Sequence, residues 1–246
     1  GDIDTAAYLE FLAPRLEPFS STPSAPAVKR QPRWTEPRLI EDAYPVGRNE
    51  PLEEKTYHAI NWLAGDGADA EDTVMLDILE AILLGNEAAP LKKAIIDSRL
   101  GADLVFSGAN SSGLESTFHV GIKGSEPDRR AAFVALVMDT LESIARSGVS
   151  RERVDAEFEQ VAYDYQEIAP HYPLHVMMAV LGSWLYGKDP TAFCRRRAAL
   201  DACRARYEAS PDCFERLIRE RLLENDHRLV TTMAPDPSVQ AAMEKT

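Results

Sequence analysis

Seven prolines stand between residues 18 and 55: Pro18, Pro23, Pro26, Pro32, Pro37, Pro45 and Pro51. Proline fixes φ and removes a backbone donor, so this stretch reads as an extended linker, not as core. Trp34, Leu39, Ile40, Tyr44 and Val46 are apolar enough to pin it onto a surface, with short extended pieces over 33–46. Ahead of it, Asp4-Thr5 caps a short helix whose apolar stripe is Leu9, Leu12 and Leu16, with Tyr8 beside them. A helix this short is marginal unless it packs on something. The stripe and the linker therefore predict a sticky surface and self-association.

From residue 56 the pattern is that of a folded domain. Residues 56–63 alternate Tyr57, Ala59 and Asn61 with His58, Ile60 and Trp62, the period of a strand. Asp72 or Thr73 reads as the cap of a helix carrying Val74, Leu76, Ile78, Leu79, Ile82 and Leu83 on one side, ended by Gly85. Pro90 opens a second helix, closed by Leu100-Gly101. Two strands, 104–109 and 114–122, flank the hairpin turn Asn110-Ser111-Ser112-Gly113. Helices are expected over 127–147 and 150–168, and a buried one over 174–185. Asp189-Pro190 and Ser210-Pro211 mark two more helix starts, and 227–233 is the last strand. The order predicts an α+β domain, an antiparallel sheet with helices packed largely on one face.

Apolar residues make up 45% of the 246-residue chain, enough for a core of real size. The net charge of −13 repels phosphate backbones. The densest basic run, Arg195-Arg196-Arg197 with Arg204 and Arg206, sits on a predicted helix among Asp201 and Glu208, so nucleic acid is disfavoured as a partner. No apolar run approaches the roughly 20 residues of a membrane span. Cys194, Cys203 and Cys213 lack C-x-x-C spacing and read as reduced thiols. They fit a reducing compartment, a bacterial cytoplasm or an organelle matrix.

The chain offers little chemistry of its own. Only His171 and His175 stand one helical turn apart, but Pro173 lies between them and no Glu accompanies them. His58 and His119 fall in predicted strands and read as structural. No G-x-S-x-G elbow and no Walker loop occurs. No catalytic residue and no metal ligand is assigned.

One long stretch is distinctive: Leu83-Leu84-Gly85-Asn86-Glu87-Ala88-Ala89-Pro90-Leu91-Lys92-Lys93-Ala94-Ile95-Ile96-Asp97-Ser98-Arg99-Leu100-Gly101. It resembles the loop and helix in the second domain of insulinase/pitrilysin-type zinc peptidases, in the presequence-protease branch. Asn61-Trp62-Leu63, Trp184-Leu185-Tyr186-Gly187 and Leu217-Ile218-Arg219-Glu220-Arg221-Leu222-Leu223-Glu224-Asn225-Asp226-His227-Arg228 fit the same pattern. Gly1-Asp2-Ile3-Asp4-Thr5 resembles the tail of the family's first domain.

The resemblance implies a mitochondrial-processing-peptidase-like metallopeptidase domain without a catalytic centre. In that family zinc is held by H-x-x-E-H and a distal glutamate, all in the first domain. This chain contains no H-x-x-E-H, so no ligand carries over and zinc belongs to a full-length parent. The implied division is a tail helix of the preceding catalytic domain (1–17), a Pro-rich interdomain linker (18–55) and a non-catalytic domain (56–246). That domain helps to wall a chamber admitting unfolded peptides. Its implied partners are the peptide substrate, the N-terminal catalytic domain and the C-terminal half of the parent. The resemblance also implies that a Gly-containing loop and a neighbouring edge strand hold the substrate's N-terminal part. The matching positions are Gly85, Asn86, Glu87 and Ala88, with Val105, Ser107 and Gly108. An unpaired edge adds a peptide strand through backbone hydrogen bonds, whatever its sequence. The alternatives are that Gly85 is only a helix end and Gly108 a strand kink, and that the whole chain is a catalytically silent scaffold or partner subunit of the same fold. Whether H-x-x-E-H precedes Gly1 in the coding sequence separates part of an active peptidase from a silent partner subunit.

Overall fold

The computed structural model of the protein describes residues 4–19, 28–168, 170–187 and 189–243. Gly1, Asp2 and Ile3, and Pro23 and Pro26 of the linker, lie outside the described residues. Along the chain come α1 (Thr5–Leu16), β1 (Arg38–Pro45), β2 (Thr56–Gly65), α2 (Ala70–Leu84) and α3 (Pro90–Ser98). Two short strands follow, β3 (Asp103–Leu104) and β4 (Gly108–Asn110), then β5 (Ser116–Ser125), α4 (Arg130–Ser147) and α5 (Arg151–Asp164). The remainder is α6 (Tyr172–Leu185), α7 (Arg196–Ala209), α8 (Cys213–Ile218), β6 (Arg228–Asp236) and α9 (Pro237–Met243).

The period-two pattern of β2 decides the architecture. His58, Ile60, Trp62 and Ala64 are buried, while Tyr57, Ala59, Asn61 and Leu63 are half-buried on the other face. β5 repeats this with Ser116, Phe118 and Val120 buried and Thr117 and His119 half-buried. β2 pairs antiparallel with β5 on one side and β6 on the other, within the order β1-β6-β2-β5-β3; β4 also pairs with β5. Helices cover the buried face. One core joins Ile60, Trp62, Phe118 and Val120 to Leu79 and Ile82 of α2, Phe133 and Val137 of α4, Phe158 of α5 and Phe214 of α8. The Trp62 indole N–H donates to Leu222 O at 2.8 Å, so the core's largest side chain leaves no polar atom unpaired. This is the expected α+β domain with helices largely on one sheet face.

Several details depart from the sequence reading. The sheet is mostly antiparallel but has one parallel pair. β1, inside the Pro-rich stretch, runs beside β6 from Arg38↔Leu229 to Pro45↔Asp236. Pro37 and Pro45 bracket this edge strand, where a missing donor breaks no central ladder. α2 starts earlier than expected because Asp69 Oδ1 accepts the N–H groups of Glu71 (3.0 Å) and Asp72 (2.9 Å). The expected strand over 104–109 is split at Phe106, whose φ is 47°. The helix after Ser150 stops at Asp164, short of Ile168. α6 is not buried: Leu174 is 50% exposed, Met178 60%, Trp184 62% and Leu185 76%. Its apolarity marked it as a core helix. However, it follows a left-handed turn at His171 (φ 66°) and packs mainly on the turn Ala192–Arg195, beside the domain and outside its core.

Residues 30–34, ahead of β1, form a strap across the end of the sheet. Arg30 pairs with Asp66 at 2.6 Å and Arg33 with Glu115 at 3.1 Å. The Gln31 N–H donates to Glu115 Oε2 (2.8 Å), and the Trp34 N–H donates to His227 Nδ1 (3.1 Å). Val46 is buried and the Tyr44 hydroxyl donates to Lys55 O, whereas Leu39 and Ile40 stay about half exposed.

Phe158 has no exposed surface and meets the rings of Tyr207 (6.0 Å) and Phe214 (6.2 Å). Phe158→Ala is expected to cost about 3–5 kcal/mol, read as a lower urea midpoint at unchanged m-value. A loss below about 1 kcal/mol would contradict a packed junction of α5, α7 and α8.

Candidate functional site

The two groups of residues singled out for substrate contact flank the C-terminal half of α2. Gly85, Asn86, Glu87 and Ala88 form an exposed loop between α2 and α3. Gly85 keeps helical geometry (φ −61°), and its N–H donates to Ala81 O, so it is the plain end of α2. Asn86 ties the loop, its Oδ1 accepting the Ala88 N–H (3.0 Å) and its carbonyl the Ala89 N–H (2.9 Å). From α5, Arg153 donates to Ala88 O at 2.9 Å.

Val105, Ser107 and Gly108 lie at the edge of the sheet beside β5. The Val105 N–H donates to Gly121 O (2.9 Å), and Ser107 Oγ accepts the Gly121 N–H (3.0 Å). Between them the chain bulges, and Phe106 stands 78% exposed. The sequence reading did not single out Phe106, because an aromatic in a strand pattern signals burial and nothing local announces a positive φ. Gly108 has φ 128°, and a Cβ there would stand 2.4 Å from Glu80 Oε1, so the position requires glycine. Glu80 Oε2 accepts the Ala109 N–H (2.7 Å), and Asp103 Oδ1 accepts the Leu104 N–H (2.8 Å). Carboxylates thus cover two donors of this edge segment, a common protection of exposed edges, with the bulge at Phe106 between them. Glu80 links the two groups: it binds β4 and precedes Gly85 by roughly 7.5 Å of helix axis.

Beside the loop, α2 and α5 enclose a groove of about 690 Å³ whose lining includes Asp77, Glu80, Asn86, Glu157, Gln160 and Asp164. Burial raises the carboxyl pKa of Asp77, against the opposing pull of Arg196 and the Tyr165 hydroxyl, which donates to it at 3.3 Å. Burial also raises Glu80, opposed by the Ala109 N–H and helped by Asp77. Glu157 is raised by burial too, with Arg153 opposing. The groove is acidic and partly dehydrated.

His58 and His119 serve structure. His58 Nε2–H donates to Glu126 O (2.9 Å), which leaves Nδ1 to accept from Thr232 Oγ1 (3.0 Å). His119 Nδ1–H donates to Asn61 Oδ1 (2.8 Å), and its Nε2 accepts from Thr117 Oγ1 (2.7 Å). Burial lowers the pKa of both rings. His171 precedes α6 in a left-handed turn, so it and His175 do not share a helix face. All three cysteines are free, and burial pushes the Cys203 thiol up to about 12, the mark of an inert thiol. Among the described residues no group of three or more His, Cys, Asp and Glu is placed to hold a metal. The described features are an acidic groove beside the loop 85–88 and an exposed ring at Phe106.

The family described as peptidase M16 inactive domain matches residues 1–161. Presequence protease 1, chloroplastic/mitochondrial, of Arabidopsis thaliana is 31% identical over 245 residues, covering 96% of this chain and 23% of that protein. Protein HypA of Clostridium perfringens is 28% identical over 243 residues, covering 97% of this chain and 25% of that protein. The chain thus spans about a quarter of the length of these curated relatives. Among solved structures, a peptidase M16 inactive domain from Pseudomonas fluorescens superposes with a TM-score of 0.67 at 13% identity, over 96% of this chain and 52% of that one. The first half of the periplasmic protease PqqL from Escherichia coli does so at 0.63 and 13%, over 100% and 54%. At these identities the structural likeness speaks for the fold alone.

The raised carboxyls carry a stability signature. Their folded values lie above their unfolded ones, so their contribution to stability is full below the ordinary carboxylate range. It is lost as pH rises through the raised values. Asp77→Asn keeps an acceptor for Tyr165 and removes the charge. The variant is expected to be more stable than the natural chain at pH 7, with the difference closing towards pH 4, in urea unfolding at both pH values. A variant less stable at pH 7 would contradict burial as the dominant influence on Asp77.

Proposed function

The chain belongs to the peptidase M16 family, as its inactive domain, and from that premise we propose that it forms the substrate-enclosing, non-catalytic part of a zinc metalloendopeptidase that degrades unfolded peptides. The observation that carries the reading is the family match joined to the bulge that exposes Phe106 beside β5, with the exposed loop 85–88 at the end of the neighbouring helix. An unfolded peptide meets backbone groups at a sheet edge without any demand on its sequence. In this reading Gly85, Asn86, Glu87, Ala88, Val105, Ser107 and Gly108 hold the N-terminal part of the substrate. Phe106 adds an exposed ring between them.

The described residues offer no ligand set for zinc, so no step runs through it here. In this reading the metal belongs to an N-terminal catalytic domain of the parent, with α1 as that domain's tail and the Pro-rich stretch as the connection. The C-terminal half of the parent completes the chamber. Free thiols suit a bacterial cytoplasm or an organelle matrix. No helix among the described residues is long and apolar enough to cross a membrane. Tyr8, Leu9, Phe11 and Leu16 of α1 are all exposed, which supports self-association of the isolated chain.

The 246-residue chain alone is expected to bind no stoichiometric zinc and to cleave no peptide. Metal-dependent cleavage by a pure sample would sink the assignment. In the full-length parent, Phe106→Ala is expected to raise KM for long unfolded peptides several-fold more than for short ones, with little change in kcat. An equal rise for both lengths would argue against contact with the substrate's N-terminal part.

A further inference from the structure

His227 sits immediately before β6 and is 8% exposed. Its backbone is fixed on both sides: its N–H donates to Asn225 Oδ1 (2.9 Å), and its carbonyl accepts the Leu63 N–H (3.2 Å). The ring is therefore held in place by the sheet. Its Nδ1 accepts the Trp34 N–H at 3.1 Å, which requires the tautomer with the proton on Nε2. The imidazole also stacks on the Trp34 indole, with centroids 4.1 Å apart and planes 15° from parallel. The Arg38 guanidinium lies over the same indole at 4.2 Å.

We propose that His227 is a proton-operated latch: the neutral ring holds Trp34 across the end of the sheet, and protonation lets it go. A proton on Nδ1 removes the acceptor and turns an N–H towards the Trp34 N–H. It also places a positive charge near Arg33 and Arg38 of the strap. Glu115, from the segment before β5, favours the charge. Its carboxylate is already engaged by Arg33 (3.1 Å) and by the Gln31 N–H (2.8 Å), with Arg30 at 4.0 Å. Asp66, at the outer end of the strap, pairs with Arg30. Asp226 and Arg228, the chain neighbours of His227, interact with each other. Burial and the two arginines prevail, and the pKa of His227 lies below its ordinary value.

The other attachments of the strap differ in strength. The Arg30–Asp66 pair is open to solvent on both sides and contributes little, whereas Glu115, 9% exposed, keeps hold of Arg33 and of the Gln31 N–H. β1 stays paired with β6 after release, because its ladder does not involve His227. The release is therefore local to Trp34, between Arg33 held on Glu115 and Arg38 at the start of β1. The direction in pH follows from the lowered value. The latch is fully set above the ordinary histidine pKa of 6.5, weakens as pH falls below it, and is open below the folded value.

Hydrogen exchange of the 246-residue chain, corrected for the intrinsic effect of pH, tests this. The Trp34 amide should be protected at pH 7.5 and lose about tenfold or more of that protection by pH 5, the scale of one lost hydrogen bond plus a buried charge. His227→Asn keeps an acceptor near the Nδ1 position and does not titrate, so its protection should be flat across this range. Protection that falls equally in both proteins, or that is flat in the natural chain, would overturn the latch. If the variant does not fold, ¹⁵N-histidine NMR of the natural chain decides instead. The His227 ring and the Trp34 amide must titrate with one midpoint; separate midpoints refute the proposal.

Discussion

β2 is hydrogen-bonded on both sides, to β5 and to β6, and it buries Ile60 and Trp62 under the helices. A strand in that position has one register available. A slip of one residue would turn Trp62 out and Asn61 in, exchanging a satisfied indole for an amide among hydrocarbon. The register of β2 in turn sets which residues of β5 and β6 face the helices. It also sets where the ends of β5 lie, and therefore where the edge beyond it lies. The C-terminal half of α2 is tied to that edge through Glu80 and Ala109, roughly one and a half turns before the loop.

Much of this was legible in the residues. The alternation over 56–63 and the proline starts of α3 and the α4 region carry their own physics. The hairpin before β5 does too, and each was found within a few residues of its expected place. What escaped reading depended on distant partners. β1 looked like linker because its pattern is punctuated by prolines; only pairing with β6, some 190 residues away, makes it a strand. α6 looked like core because apolar composition says what a helix prefers, and not whether the fold has room for it. Glu80 was invisible as a functional residue, since a carboxylate on a helix is ordinarily a solvated face; its role comes from the glycine that faces it. Of the positions read for substrate contact, the loop 85–88 and the edge 105–108 lie at the two ends of one half-helix. Phe106 was missed because bulges are written in backbone angles and not in residue type.

The strap and the edge act at different places on one scaffold. The strap crosses the ends of β2 and β5 and depends on a histidine, an indole and exposed arginines. The edge lies beyond β5 and depends on backbone groups and carboxylates. Both contain titrating groups, but of opposite kind: the acids beside the edge resist losing their protons, and the histidine under the strap resists gaining one. Burial drives both, because it penalises whichever form is charged.

The parallel pairing of β1 and β6 has a mechanical consequence. Tension that enters β1 at Arg38 and leaves β6 at Asp236 runs along the two strands in opposite directions. It therefore loads the ladder in shear, and every inter-strand bond from Arg38↔Leu229 to Pro45↔Asp236 carries a share at once. The same bonds pulled sideways would open one after another. A domain tethered through these two points is stiff along that axis, and a tug on the chain ahead of β1 is passed to the middle of the sheet instead of peeling its rim.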